Sequence, residues 1–359
     1  MNDVDELKQF AVAHARAQNI PRYREVLAAI STDDADTAGS WVGEWTRAGD
    51  RLRSGGHAVD AVRCYNMARF PYVNGPARQE ALDRCVETFG GWAGQNGIDR
   101  LDLDLSVGPV GCWSTGLSTT KRLPLVLICG GIVSIKEQWA PALALVRRFG
   151  MAGIVMEMPG VGENAARYDE GSPQLIGELL DAVADRAEVA RTTALMLSFS
   201  GHLGLRRAVE DPRIRGLITA GPPVGPYFTN AAWHAALPAV TRDTLAQLTG
   251  AKPEELFDLM RPWALTPEQL AALDIPVACT ASARDEIIPA GDVRMLRDHV
   301  RDLDLVEIDD VHGSPRHTAE SRVWAARSIL RMNDVRNAQS AVLGLVLGAL
   351  RARRRLVPA

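Results

Sequence analysis

Three side chains in this sequence have the types and the chain order needed for acyl chemistry: the hydroxyl of Ser200, the carboxylate of Asp285 and the imidazole of His312. Ser200 lies in Leu195-Met196-Leu197-Ser198-Phe199-Ser200-Gly201-His202-Leu203-Gly204, an apolar run that ends at small polar residues and turns at once into a helical pattern. A hydroxyl on such a turn projects above a sheet, and the N–H that follows it, here Gly201, points at the oxygen that becomes negative when a carbonyl is attacked. In this reading Ser198 and His202 occupy the flanking positions where a nucleophile turn usually has glycine. An ordinary strand-to-helix turn has the same outline, so the string does not decide the matter alone. Asp285 follows the run Ile275 to Ser282 in a loop closed by Pro289, and His312 stands in Asp309-Asp310-Val311-His312-Gly313 after the next apolar run. His312 would take the Ser200 proton, and Asp285 would fix its tautomer and stabilise the imidazolium. His317 is the rival base, although a helix beginning near Thr318 would aim it elsewhere. His202 reads equally well as a substrate contact or a core histidine.

The elements that must hold these groups are legible from periodicity. Short, continuously apolar runs (Leu125 to Cys129, Ile154 to Met158, Ala194 to Leu197, Gly216 to Ala220, Pro276 to Thr280, Leu305 to Ile308) alternate with helical stretches. Runs apolar at every position suit strands covered on both faces, hence a mostly parallel sheet between helices. Before them, Leu101, Leu103 and Leu105 alternate with acids up to a Gly108-Pro109 turn, which predicts a hairpin on the sheet's antiparallel edge. The order Ser, Asp, His, each at a strand's carboxyl end, is that of the α/β-hydrolase fold. Gly130-Gly131-Ile132 follows the first parallel strand, where that fold keeps its other oxyanion donor, and a glycine pair lets backbone approach a ligand.

Residues 1–97 lack strand-like alternation and repeat apolar positions every three or four residues, as in Val42, Trp45, Ala48, Leu52 and in Ala58, Ala61, Val62, Tyr65, Ala68. The expected organisation is an N-terminal helical cap domain over 1–97 and a catalytic domain over 98–335. A small helical cap insertion about 222–273 is rich in aromatics and prolines (Pro223, Pro226, Tyr227, Phe228, Trp233, Phe257, Trp263), and a C-terminal helix with a basic tail covers 336–359.

With 47% hydrophobic and 23% charged residues and a net charge of −4, the chain can bury a large core and has no basic stripe for nucleic acid, so a small-molecule substrate is the expected partner. The five cysteines are odd in number and spaced without a metal pattern, and the remaining histidines offer no zinc set; no metal or other cofactor is expected. Gly160-Val161-Gly162-Glu163-Asn164-Ala165 matches G-x-G-x-x-A, but Pro159 opens it and Glu163 puts an anion where a pyrophosphate would lie. The acidic N-terminus is unlike a signal peptide, which favours the cytoplasm. The ten apolar residues Ala341 to Leu350, followed by Arg351, Arg353, Arg354 and Arg355, are too short to span a bilayer and predict a docked terminal helix, with a membrane-surface segment as the weaker reading. A homodimer is a further expectation.

Cys129-Gly130-Gly131-Ile132-Val133-Ser134-Ile135-Lys136-Glu137 is similar to a GGxDSxKE string, and Met158-Pro159-Gly160-Val161-Gly162-Glu163 to a PGxGE turn. Both belong to the FrsA-like hydrolases, a group with 2,6-dihydropseudooxynicotine hydrolase and the fungal yellowish-green pigment hydrolases, which the chain resembles over most of its length. Trp41, Trp45, Gly55, Ala61, Tyr65 and Ala68 resemble the family's helical front. The resemblance implies a Ser-His-Asp hydrolase whose helical front covers the site, acting on esters or on carbon–carbon bonds beside ketones. It maps the triad onto Ser200, Asp285 and His312 and the oxyanion donors onto the N–H groups of Ile132 and Gly201. Val133, Lys136, Glu137, His202, Tyr227 and Trp233 are the expected pocket side chains. Val133 departs from the family's Asp, and Ser198 and His202 from its glycines. Two other functions fit the same scaffold: a lyase in which His312 removes a proton and a carboxylate such as acetate leaves, and a ligand-binding relative without turnover.

Overall fold

The computed structural model describes residues 2–33 and 37–356, with the side chains of Arg355 and Leu356 outside the description. Five helices open the chain: α1 Val4–Ala17, α2 Tyr23–Ala29, α3 Trp41–Ser54, α4 Ala58–Arg69 and α5 Pro76–Ala93. The Asp3 side chain caps α1 and Ser40 caps α3 by accepting orphan N–H groups of the first turn. Trp41 and Trp45 are fully buried in a core of their own with Leu7, Ala11, Val42, Met67 and Phe70, and the Trp41 indole donates to the Met67 carbonyl at 2.7 Å.

Eight strands then form one sheet: β1 Asp99–Leu105, β2 Gly108–Thr115, β3 Pro124–Cys129, β4 Ala152–Met156, β5 Glu188–Met196, β6 Ile214–Ala220, β7 Val277–Ser282 and β8 Leu303–Ile308. Their order is β1-β2-β4-β3-β5-β6-β7-β8. The β1–β2 hairpin pairs antiparallel with itself and with β4, and every other pairing is parallel. This is the α/β-hydrolase architecture, and its antiparallel edge is the hairpin that the Leu101, Leu103, Leu105 alternation predicts. The central strands β3 and β4 are buried almost throughout, as residues sandwiched between two helical layers must be.

Helices α6 Lys136–Trp139, α7 Leu143–Arg148, α8 Gln174–Ala182 and α9 Phe199–Glu210 connect the first parallel strands. Between β6 and β7 run α10 Pro226–Thr229, α11 Ala231–Ala236, α12 Ala239–Thr249, α13 Leu256–Met260 and α14 Pro267–Ala271, and α15 Ala290–His299, α16 Thr318–Met332 and α17 Ala338–Leu356 complete the chain. Glu6 on α1 accepts from the N–H groups of Ala239 and Val240, so the helical front grips the first turn of α12 and the two segments meet above the sheet. Helix α17 packs on α16, where Arg351 and Arg354 come within 3.5 and 3.3 Å of the buried Glu320 carboxylate. Val342, Leu345 and Val346 face outward. Among the described residues no helix is long and apolar enough to cross a membrane.

Candidate active site

Strand β5 ends at Met196 and α9 starts at Phe199, which leaves two residues to reverse the chain. The turn is made at Ser198, whose backbone lies at φ 57°, ψ −125°, a conformation that L-residues occupy only under strain. This half-buried hydroxyl is 2.9 Å from His312 Nε2, and His312 Nδ1 lies 2.8 Å from Asp285 Oδ2. Asp285 is held in turn by the N–H groups of Ile287 and Ile288 at 2.9 and 2.8 Å. The result is an unbroken hydroxyl–imidazole–carboxylate chain at the carboxyl ends of β5, β7 and β8. Burial works against a charge on His312, but Asp285 and Glu286 outweigh it and leave the imidazole above its ordinary value.

The sequence expectation of Ser200 as nucleophile is thereby corrected. Ser200 sits in the first turn of α9, is fully buried, and donates to the carbonyls of Cys129 and Leu197 at 3.0 Å each. Its hydroxyl ties α9 to β3 rather than facing His312. The apolar run Ala194 to Leu197 stops immediately before Ser198, so the first residue after the strand was the signal for the turn; centring small-x-Ser-x-small two residues later missed it. The oxyanion assignment moves with it. Gly201 N–H is spent on the Ser198 carbonyl at 2.8 Å, whereas Phe199, as first residue of α9, has an N–H with no acceptor in its own helix. Across from it, Gly131 packs so closely on Ser198 that a Cβ there would stand 3.1 Å from the Ser198 Cβ, which brings the Gly131 backbone against that side chain.

Four of the six expected pocket side chains are enclosed. Lys136 and Glu137 have no meaningful exposure, and the Lys136 ammonium lies 3.0 Å from Glu137, 3.4 Å from Glu157 and 2.5 Å from Glu163. Glu137 also accepts from the Trp113 indole at 2.8 Å. Burial lowers Lys136, but the three carboxylates outweigh it and hold it charged. Burial drives Glu157 upward against the pull of Lys136. The N–H groups of Lys136 and Glu163 both donate to the Glu157 carboxylate, so the Gly160–Ala165 turn already wraps an anion of its own. His202 is buried against Phe228 with Nε2 at 2.8 Å from the Trp263 carbonyl, and Tyr227 is buried between Phe199 and Phe228. None of these four can touch a substrate without repacking. Val133 and Trp233 are half-buried; the Trp233 indole donates to the Ile287 carbonyl at 2.8 Å, beside the Asp285 loop. His317 bonds Asp310 at 3.1 Å and takes no part in the chain.

His14 was not among the expected residues. Its ring packs on Phe70 at 5.1 Å, no side chain or backbone group bonds it among the described residues, and burial, then the charges of Arg69 and His312, pull it down to about 4. The imidazole of α1 thus lies within electrostatic reach of His312. Only contacts between distant segments reveal it, since one histidine in an amphipathic helix has no sequence signature. Among the described residues no cluster of side chains has the makeup of a metal site.

Known proteins carry the same framework. Two solved structures of AbyA5 superpose with TM-scores of 0.94 and 0.88; the first is 51% identical and covers 97% of this chain and 100% of its own. The 2,6-dihydroxy-pseudo-oxynicotine hydrolase structure, 20% identical, covers 88% of this chain and 94% of its own at a TM-score of 0.70, a likeness of fold. Among curated proteins, the esterase FrsA of Citrobacter koseri is 24% identical over 302 residues, 75% of this chain and 71% of that protein. The model of the FrsA-like esterases matches residues 35–309, and the chain, an α/β-fold hydrolase, belongs to that family.

Proposed function

We propose that the protein cleaves an acyl bond of a small organic molecule, an ester or a carbon–carbon bond activated by a neighbouring ketone, through an acyl-enzyme on Ser198. The observation that carries this reading is the 2.9 Å approach of the Ser198 hydroxyl to His312 Nε2 within the chain to Asp285. His312 takes the Ser198 proton as the oxygen attacks the carbonyl carbon, and Asp285 stabilises the imidazolium that forms. The Phe199 N–H and the Gly131-Ile132 backbone receive the developing oxyanion. The proton on His312 passes to the leaving oxygen or carbon, and water, deprotonated by the same imidazole, releases the acid and frees Ser198. The ketone-bearing substrate class is favoured by the shared fold of 2,6-dihydroxy-pseudo-oxynicotine hydrolase.

A fluorophosphonate probe tests the nucleophile. Labelling is expected to vanish in Ser198→Ala and to persist in Ser200→Ala; labelling that survives the first substitution rejects the proposal. Turnover in 18O-water tests the bond chemistry. Incorporation of the label into the acid product is expected, while a product with a new double bond and no label means that His312 acts as base in an elimination.

A further inference from the structure

Arg69 closes α4 and is 2% exposed, yet among the described residues no carboxylate lies within ion-pair distance of it. Its guanidinium is met only by neutral oxygens. Nε and Nη2 donate to Asn66 Oδ1 at 3.0 and 2.8 Å, Nη1 to the Pro71 carbonyl at 3.0 Å, and Nη2 also to the Val133 carbonyl. Burying a cation without a counter-ion is costly, and a methionine would fill the same volume without that cost. Burial, opposed by Glu157 and other anions at longer range, pulls the group down to about 10, which still leaves it charged at neutral pH.

The position of the one contact outside the helical front gives the cost a purpose. Val133 belongs to the segment Gly130–Ile135, whose Gly131 borders Ser198, and the far end of that segment is pinned by Lys136 N–H on Glu157 at 3.1 Å. Ile132 and Ile135 pack the loop into the main core, and among the described residues the one hydrogen bond within its middle is from the Ser134 N–H to the Gly131 carbonyl. Asn66, one helical turn before Arg69, adds a second link by donating to Gln138 at 3.3 Å.

We propose that Arg69 is a positioning residue for the oxyanion side of the site: by holding the Val133 carbonyl it keeps the Gly131-Ile132 amides aimed at the reacting oxygen, so that activity depends on the helical front being docked. The proposal rests on Ser198 being the nucleophile. A misplacement of 1 Å in such a donor is enough to cost about 100-fold in rate.

The test uses the full chain and p-nitrophenyl butyrate. Arg69→Met is expected to lower kcat about 10- to 100-fold with KM within threefold and to leave the pH dependence set by His312 unchanged, and Arg69→Ala, which leaves room for the missing group, to regain at least fivefold in about 20 mM guanidinium chloride. Arg69→Lys, which cannot span both Asn66 and Val133, is expected to fall between wild type and Arg69→Met. Where Arg69→Met does not fold, Asn66→Ala decides, with an expected three- to tenfold loss in kcat alone. An unchanged kcat, a loss without guanidinium rescue, or a loss confined to KM overturns the positioning role. Turnover surviving in Ser198→Ala rejects instead the nucleophile on which it rests.

Discussion

Ser198 holds a backbone conformation that costs an L-residue about 1–3 kcal/mol, and it does so where the hydroxyl gains a histidine. The imidazole it faces is raised above its ordinary value, while a general base must be neutral. Activity is therefore expected to fall as pH drops, with an apparent pKa above 6.5 in kcat/KM. Asp285→Asn should move that limb to lower pH and reduce kcat severely; a limb that stays in place would separate it from the His312–Asp285 pair. His14 titrates the other way. Its Cε1 proton resonance is expected to stay fixed between pH 5.5 and 8, where that of His312 moves, and a His14 midpoint near 6.5 would contradict that lowering.

At the scale of elements, the loops after β5, β6, β7 and β8 converge, and the one after β6 leaves no slack. Gly221 has φ 53°, and a Cβ there would lie 3.0 Å from His312 Cε1 and 3.2 Å from Asp285 Oδ2. Gly221→Ala is expected to lower kcat about 10- to 100-fold by displacing the imidazole, with a smaller loss of stability from the left-handed backbone. Wild-type kcat in that variant would show that the pair tolerates the methyl. The insertion between β6 and β7 is anchored below the same turn. The fully buried Asp292 on α15 accepts from the N–H groups of Val224, Gly225 and Tyr227, so the path into α10 is fixed from the sheet side.

Across the whole molecule, buried histidines held neutral act on the response to acid in one sense, and the buried carboxylates Glu157 and Asp292, both pushed up to about 7 by burial, in the other. His14 is held down to about 4 and His202 to about 3, both chiefly by desolvation, against an ordinary value of 6.5. Below pH 6.5 these two imidazoles take up protons in the unfolded chain that the folded one refuses, so their contribution to stability is lost as pH drops from 6.5 toward 4. His312, raised in the folded state, contributes in the opposite sense, with stability complete below pH 6.5 and lost above it. His202→Phe is expected to remove its share of that loss, so that the urea midpoint of the variant gains on wild type as pH falls from 6.5 to 4.5; a difference that does not change with pH would reject the assignment.

The sequence by itself determined the architecture and the strand-end positions of Asp285 and His312. Period-two and continuous apolar runs dictate which residues a sheet can bury, and Asp285 and His312 each follow such a run directly, so their strand-end positions were legible. The choice between Ser198 and Ser200 was not, because both hydroxyls share one turn and only the backbone torsion at the strand's end decides which faces the imidazole. The motif residues Lys136 and Glu137 likewise looked like pocket groups by their charge, yet Lys136 also pairs with Glu157 and Glu163 after β4, Glu137 accepts from Trp113 on β2, and both are enclosed. Arg69 and the Val133 carbonyl meet only when the helical front docks on the sheet. Such contacts depend on the relative placement of two packed layers, a quantity that local periodicity does not encode.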